Sequence, residues 1–249
     1  MVTAIPIMFG MGIHTLYNLV DMIFIGRLGG DAIAGVAFNM PIFFLMLGLT
    51  MGLGTGVTAS IARFIGQEDK VSADNSAEHA IIIAGFIATV FTIAGLYFGE
   101  RILILLGANG NILILAWDYL SVIVIGLPFM VFSGFFRSIL AGEGDMKFPM
   151  MVAGLGTVLN TILDPIFIFK LEDYGNFGLG MGVKGAAFAT LFSQLIVFLV
   201  FIYMLFIREH SYIRFNLKDF IFSKSILWDI VQVGLPASLS MIIMALGQG

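Results

Sequence analysis

The chain has 249 residues, of which 59% are apolar and only 11% are charged. Soluble domains carry roughly 25% charged residues, so this composition excludes an ordinary soluble globule. The formal net charge is −4 and the basic residues form no cluster, which excludes a surface that follows nucleic-acid phosphates. Because the chain has no cysteine and its three histidines lie far apart, disulfides, thiolate metal sites and thiol catalysis are excluded as well.

Apolar stretches long enough to cross a bilayer recur along the whole chain. About 20 apolar residues are needed to span a hydrocarbon core of roughly 30 Å. Glycines, prolines and charge clusters separate these stretches from one another. The predicted spans are residues 2–25, 33–65, 78–98, 112–136, 149–169, 183–207 and 227–249. The sequence therefore predicts an all-α, polytopic membrane helix bundle whose main partner is the lipid bilayer.

The second span is long for a single crossing, so we expect it to tilt, kink or extend past the bilayer. The glycine run Gly48–Gly56 is the predicted place for such an irregularity. This run superficially resembles a nucleotide-binding loop, but a phosphate-binding glycine loop follows a strand and opens a helix. Because the run lies inside an apolar segment, we interpret it as a surface where two helices approach closely.

The basic residues predict the orientation of the chain, because cytoplasmic loops carry the excess of Lys and Arg. The connections after spans one, three and five hold four of them: Arg27, Arg101, Lys170 and Lys184. The connections after spans two, four and six hold eight: Arg63, Lys70, Arg137, Lys147, Arg208, Arg214, Lys218 and Lys224. We therefore predict a multi-pass protein of the plasma membrane whose even-numbered connections and N-terminus face the cytoplasm.

The beginning of the seventh span repeats a feature of the first. Pro6 and Pro236 each stand early in a helix that runs outward. A restart in the same orientation after six spans fits a parallel internal repeat, as in some secondary transporters. The predicted parts are a six-helix N-terminal lobe at 1–207, a cytoplasmic linker at 208–226 and the truncated first helix of a second lobe at 227–249. We expect the rest of that second lobe to be missing from this chain.

Among the charged residues within the predicted spans, two carboxylates stand out, Asp21 in the first span and Asp164 in the fifth. A charge at a helix centre costs about 2.5–3.5 kcal/mol on insertion scales and usually has a function. Polar residues at helical spacing extend the pattern over three spans: His14, Tyr17 and Asn18 on the first, Thr157, Asn160 and Thr161 on the fifth, and Thr190, Ser193 and Gln194 on the sixth. Each of the three helices is therefore predicted to have one polar face.

The predicted topology places Asp21, Asp164 and Thr190 at a similar depth, roughly 6–10 Å below the outer edge of the membrane at 1.5 Å per residue. If these three helices are neighbours, their polar faces form one buried acidic pocket. Two carboxylates in a poorly solvated pocket cannot both ionise cheaply, so the pocket should take up a proton or another cation. The alternative is that the aspartates only hydrogen-bond neighbouring helices. Asparagine or serine would do that without a charge, and we therefore favour the cation site.

Several motifs resemble the multidrug and toxic compound extrusion family, MATE. They are Asp21–Gly29, Ala62–Gln67, Arg137–Pro149, Asn160–Pro165 and Gly185–Thr190. They are spread over most of the chain, from residue 21 to residue 190, and they occur in the family's order on the corresponding spans. The resemblance implies a full transporter of twelve helices in two six-helix lobes. Such a transporter exports lipophilic or amphipathic, often cationic, compounds in exchange for protons or sodium.

The same resemblance implies a set of site residues. In archaeal and DinF-like members, the cation site of the N-terminal lobe is similar to Tyr17, Asp21, Asn160, Asp164 and Thr190 here. It implies no cofactor beyond the coupling ion, H⁺ or Na⁺. Pro6 could be a harmless first-turn residue or a kink in the first helix. The resemblance favours the kink, because related members bend this helix on cation loading.

Two other functions stay open. A flippase for lipid-linked saccharides from the same superfamily would favour several cavity arginines to hold pyrophosphate, and no arginine lies at a predicted helix centre. A seven-helix receptor or sensor would need neither the restart after six spans nor paired carboxylates within the membrane. We expect no enzymatic activity, because no nucleophile–base pair or metal-ligand cluster occurs in the spans.

Overall fold

The computed structural model of the chain describes residues 22–170, 178–216 and 220–246, and the side chains of residues 245 and 246 are excluded. The helices in chain order are α1 (Gly30–Ala37), α2 (Met40–Gly66), α3 (Lys70–Leu105), α4 (Gly110–Gly142), α5 (Lys147–Ile168), α6 (Gly182–Ile202) and α7 (Lys224–Leu246). A π-helical turn, Tyr203–Ile207, continues α6. The isolated antiparallel bridge between Lys170 and Leu179 is the one β pairing within the described ranges, so the fold is all-α.

Six helical stretches in the described part of the chain are long and apolar enough to cross a membrane. They correspond to predicted spans two to seven, with α1 and α2 together forming the first of the six. The first predicted span, 2–25, lies outside the described residues except for its helical end, which runs from residue 22 to residue 26. The prediction of a polytopic membrane helix protein is therefore confirmed for these six spans.

The predicted place of the irregularity in span two is wrong. The break lies between Ala37 and Met40, and α2 continues as a helix through the glycine run. At the break, the buried Asn39 side chain donates hydrogen bonds to the carbonyl of Gly35 at 2.9 Å and to that of Ala116 at 3.2 Å. The amide stabilises the interruption by donating to backbone carbonyls of both α1 and α4.

Helices α3 and α4 are longer than predicted, with 36 and 33 residues. At 1.5 Å per residue they measure about 54 and 50 Å, more than the hydrocarbon core requires. The first turns of α3 are polar, so hydropathy alone placed its start too late, at residue 78 instead of Lys70. The carboxylate of Asp69 accepts the N–H of Ser72 at 3.0 Å, and Lys70 pairs with Asp74 one turn along at 2.8 Å. These local contacts stabilise a helix start that carries no apolar pattern.

The described residues form two compact units. The first consists of the described residues within Met1–Met40, Thr92–Leu127 and Met150–Val197, and the second of the described residues within Pro41–Phe91, Pro128–Pro149 and Phe198–Gly249. The core of the first unit includes Leu120, Ile123, Ile168 and Ala186, and that of the second includes Ile61, Phe135, Ile139 and Ile230. The candidate polar site lies in the first unit, whereas α7 and the segment before it lie in the second.

The glycines of α2 serve close helix packing in the second unit. A Cβ atom added to Gly52 would overlap the backbone of Ser238 on α7, and one added to Gly56 would overlap the carbonyl oxygen of Ile230. Glycine is therefore required at both positions for α7 to approach this closely. The interpretation of the glycine run as a helix-contact surface is confirmed.

Candidate functional site

The side chains of Asn160 and Asp164 lie on one buried face of α5. Asn160, Asp164 and Ile168 follow each other at intervals of four residues and are 2%, 0% and 2% exposed. Val158 and Ile162, on other faces of the helix, are more than half exposed. Residues four apart share a helix face, so the spacing alone turns Asn160 and Asp164 inward together. The apolar exposed positions suit a helix whose outer faces meet lipid.

Helix α6 packs directly against α5 in the first unit. A Cβ atom added to Gly185 would overlap the carbonyl of Phe167, and one added to Gly156 would lie 2.7 Å from Cγ2 of Val197. Small residues on both helices therefore allow the two backbones to approach each other. On α6 these two contacts bracket Thr190, which is 7% exposed. Spans five and six are therefore neighbours, which is one of the conditions on which the predicted pocket depends.

Asn160 bridges the carboxylate of Asp164 and Thr190. Its Nδ2 donates to Oδ2 of Asp164 at 3.0 Å, and its Oδ1 accepts from the backbone N–H of Thr190 at 3.1 Å and from the Thr190 hydroxyl at 3.3 Å. The opposite amide orientation would keep only a 3.3 Å contact between Nδ2 and the hydroxyl, and would turn the amide oxygen toward the carboxylate. Two acceptors facing each other repel, so the first orientation is the one we assign.

The resulting cluster combines carboxylate, amide and hydroxyl oxygens in a buried position. An ionised carboxylate removed from water is costly unless a cation or hydrogen-bond donors compensate it. Chemically, Asp164 can hold a proton or join neutral oxygens in binding a hard cation, which prefers oxygen ligands. Within the described ranges, no group of three or more His, Cys, Asp and Glu side chains could hold a metal ion.

Three other polar residues of the predicted faces bond to their own helices. Thr157 donates to the carbonyl of Ala153 at 3.2 Å, and Thr161 donates to that of Thr157 at 2.9 Å. On α6, Ser193 donates to the carbonyl of Ala189 at 2.8 Å. Such bonds to the preceding helical turn satisfy the hydroxyl locally. The structure therefore brings Asn160, Asp164 and Thr190 together from these two helices and leaves these three hydroxyls outside the cluster.

The candidates on the first predicted span lie outside the described residues: Pro6, His14, Tyr17, Asn18 and Asp21. The described end of that span does contact the residue that follows α5. The ring of Phe24 meets the ring of Phe169 edge-on, with 5.9 Å between centroids, and Ile25 is 2% exposed. The ends of predicted spans one and five are therefore neighbours in the first unit.

Sequence reasoning overlooked the backbone next to the carboxylate. Pro165 follows Asp164 inside α5. Because proline has no N–H, the helical hydrogen bond to the carbonyl of Thr161 is absent. The sequence signal was available as an Asp-Pro pair within an apolar segment. The proline creates a point where α5 can bend one residue from the carboxylate.

Comparison with known proteins gives the family of the chain. Residues 6–166 match the family model MatE. Relatives include the FAD transporter of Shewanella oneidensis, 31% identical over 201 residues that cover 80% of this chain and 44% of the relative. Another is the multidrug export protein MepA of Staphylococcus saprophyticus, 31% identical over 245 residues that cover 97% of this chain and 52% of the relative.

A solved structure gives the same result. A MOP superfamily transporter from Pyrococcus furiosus is 40% identical, with a TM-score of 0.90, and the match covers 98% of this chain and 52% of that one. The chain spans about half the length of the curated relatives it matches. A match to half of such a transporter fits the predicted six-helix lobe with the start of helix seven, whereas the DinF-like branch stays a prediction. The chain belongs to the MatE family, the multidrug and toxic compound extrusion transporters that its motifs resemble.

Proposed function

We propose that the protein is a secondary antiporter that exports lipophilic or cationic compounds in exchange for protons or sodium. The observation that carries this proposal is the fully buried carboxylate of Asp164 in an apolar span, joined through Asn160 to Thr190. A neutral side chain could link the helices without the cost of a charge, so hydrogen bonding alone does not require an aspartate here. We therefore place the coupling site at this cluster.

Asp21 and Tyr17 are the residues we propose to complete the site. Asp21 stands three positions before Phe24, which contacts Phe169 at the end of α5. This contact supports a first helix that runs beside α5. With two carboxylates in one poorly solvated site, the second ionisation is opposed by the first, so the pair should share a proton. If sodium is the coupling ion, the hydroxyl and amide oxygens serve as its neutral ligands.

Coupling requires that the bound cation prefer one conformation of the lobe. A ligand shifts a conformational equilibrium only through its different affinities for the two states. We propose that Pro6 provides the moving part, because a proline within a helix removes a backbone hydrogen bond and permits a bend. Loading the cation at Asp21 would then change the bend of the first helix.

The names of the relatives indicate only the chemical class of the transported compounds. One relative is named a multidrug export protein and another an FAD transporter. We propose organic compounds with large apolar or aromatic parts as the cargo. A transport assay should therefore include a lipophilic cation and a flavin nucleotide. The family match to half of longer transporters argues against the seven-helix receptor considered above.

The proposal can be tested with the full-length protein in proteoliposomes. Export of a lipophilic cation and of a flavin nucleotide is measured under an imposed proton gradient and, separately, a sodium gradient. Asp164→Asn and Asp21→Asn should each reduce gradient-driven export by roughly ten-fold or more, which is within the usual range of coupling between sites. Both variants should reach the membrane in normal amounts.

Asp118→Asn is the matched control. Its side chain is 39% exposed and lies 3.5 Å from Lys184, so the substitution removes a carboxylate outside the cluster. Export by this variant should stay close to the parental rate. If well-expressed Asp164→Asn protein exports at the parental rate under both gradients, the coupling site is not at this cluster.

A further inference from the structure

Helices α2 and α7 meet along one line of contact, which we call the α2–α7 seam. Its paired positions run in opposite directions along the two helices: Gly48 with Ile242, Gly52 with Ser238, and Gly56 with Ile230. From the other side, a Cβ atom added to Gly234 would lie 2.8 Å from the Cα atom of Leu53. The seam is therefore an antiparallel crossing in which backbone meets backbone.

An ion pair lies at the end of the seam beyond Gly56. Nη2 of Arg63 on α2 and Oδ2 of Asp229 on α7 are 2.5 Å apart, and the two side chains are 47% and 25% exposed. A cavity of about 250 Å³ adjoins the pair; its lining residues are Ala59, Ser60, Arg63, Asp229, Gln232 and Val233. At this end the helices are thus joined by two charges beside a cavity, whereas from Ile230 onward they are joined by direct packing.

A proline on α7, Pro236, lies between two tight contacts of the seam, Gly56 with Ile230 beside the ion pair and Gly52 with Ser238 farther along. Pro236 removes the helical hydrogen bond to the carbonyl of Gln232, which lines the cavity. A helix bends most readily at such a position. The end of α7 that carries Asp229, Ile230 and Gly234 can therefore swing away from α2 as one unit while the rest of α7 remains a helix.

We propose that Arg63 and Asp229 form a latch that holds the α2–α7 seam closed on the predicted cytoplasmic side, and that its opening is a step of the transport cycle. The inference rests on the proposed antiporter function and on the predicted division of the chain, in which α7 begins the second lobe. Alternating access moves one repeat against the other, so contacts between the lobes must break and reform in each cycle. A partly exposed ion pair suits this role, because it stabilises only modestly and its charges regain water when they separate.

Accessibility of Ser238 provides a direct measurement of the closed seam. Ser238 is 1% exposed, whereas Ser240 on the same helix is exposed. Residues 1–249 contain no cysteine, so Ser238→Cys or Ser240→Cys can be the single cysteine of a full-length protein whose remaining cysteines are replaced. Each is treated with a membrane-impermeant thiol reagent in inside-out vesicles, which expose the cytoplasmic side.

Opening the latch should raise labelling at position 238 and leave position 240 unchanged. Arg63→Asp and Asp229→Arg should each speed labelling of Ser238→Cys about two- to five-fold, the range expected for loss of a partly exposed ion pair. The double exchange, Arg63→Asp with Asp229→Arg, should restore slow labelling because the charges again attract. Slow labelling in the double exchange distinguishes a latch from a general loosening of the protein. A loosened protein would be labelled faster at both positions 238 and 240, and the double exchange would not restore slow labelling.

Equal labelling in all variants, or faster labelling that the double exchange does not reverse, would overturn the latch. The measurement requires no transport, so it is independent of the coupling site. A finding that Asp164→Asn exports normally would reject that site and leave the labelling result standing. Unchanged labelling would reject the latch even if Asp164→Asn abolished export.

Discussion

The side-chain amide of Asn160 joins the buried carboxylate of Asp164 to Thr190, at 3.0 Å on one side and 3.1 Å on the other. It thereby connects an acidic side chain on α5 to a backbone group on α6. The backbone N–H of Thr190 donates to the amide oxygen of Asn160. The NH₂ group of the amide therefore faces the carboxylate of Asp164. The orientation of the cluster therefore depends on α6 as much as on α5.

Removal of the Thr190 hydroxyl should weaken the response to the coupling ion. Thr190→Val keeps the shape of the side chain but deletes the oxygen that lies 3.3 Å from the Asn160 amide. A hydrogen bond contributes about 1 kcal/mol net, so the ion concentration for half-maximal export should rise about five-fold. Export by the full-length protein is measured against pH and against sodium concentration. Thr190→Ser should behave like the parent, and a parental response in Thr190→Val would exclude the hydroxyl from the site.

Glu143 fixes the segment that precedes α7. Its carboxylate accepts the Ser211 hydroxyl, the N–H of Tyr212 at 3.0 Å and the N–H of Ile213 at 3.2 Å. Removing the Glu143 carboxylate leaves these three donors without their charged acceptor. This should destabilise the folded segment by roughly 1–3 kcal/mol. Glu143→Ala should therefore speed tryptic cleavage after Arg214 in the full-length protein.

The proteolysis measurement has a control on the same protein. Glu100→Ala removes an exposed carboxylate from α3 and should leave the cleavage rate after Arg214 unchanged. Rates are followed by mass spectrometry of the released fragments. If Glu143→Ala is cut no faster than the parent, the carboxylate does not hold this segment.

The start of α5 should lose stability in acid through Asp145, which lies outside the helices. Burial raises the pKa of this carboxyl, but the hydrogen bond from His210, those from the backbone N–H groups of Phe148 and Lys147, and the charge of His210 together hold the pKa below its ordinary value of 3.8. The unfolded chain then binds the proton more readily. The contribution is therefore fully present above the ordinary pKa and is lost as the pH falls through the lower pKa of the folded state.

Asp145→Asn should consequently lower the thermal midpoint at neutral pH, and its difference from the parent should shrink toward zero below about pH 3.8. The midpoint is measured in detergent from pH 7 down to pH 3. Glu100→Gln should show no comparable difference at neutral pH. A difference between Asp145→Asn and the parent that grows as the pH falls would contradict the assigned direction of the pKa shift.

The basic-residue pattern predicts that the connections around Ser72 and Lys147 face the cytoplasm. Single cysteines at these positions should resist an impermeant thiol reagent on intact cells and react after permeabilisation. Asn109→Cys, in the exposed connection between α3 and α4, should react on intact cells. Ready labelling at Ser72 or Lys147 in intact cells would reverse the predicted topology.

Local sequence was sufficient to locate the six membrane spans found within the described residues, though not all of their bounds, and to predict the inward face of α5. Each depends on neighbouring residues: apolar length decides whether a segment can cross a membrane, and a spacing of four places Asn160 and Asp164 on one helix face. Hydropathy missed the true start of α3 at Lys70, because capping and ion pairing extend a helix into polar sequence.

Contacts between residues far apart in sequence could be identified only from the tertiary structure. Asn39 breaks the second span by bonding the carbonyl of Ala116, which lies 77 positions away. Thr190 meets Asn160 because glycines allow α5 and α6 to approach, and neither hydropathy nor helical periodicity identifies which helices are neighbours. The pairing of Arg63 with Asp229 likewise requires the crossing of α2 and α7. Periodicity describes one helix at a time, whereas these contacts depend on how the surfaces of two helices fit together.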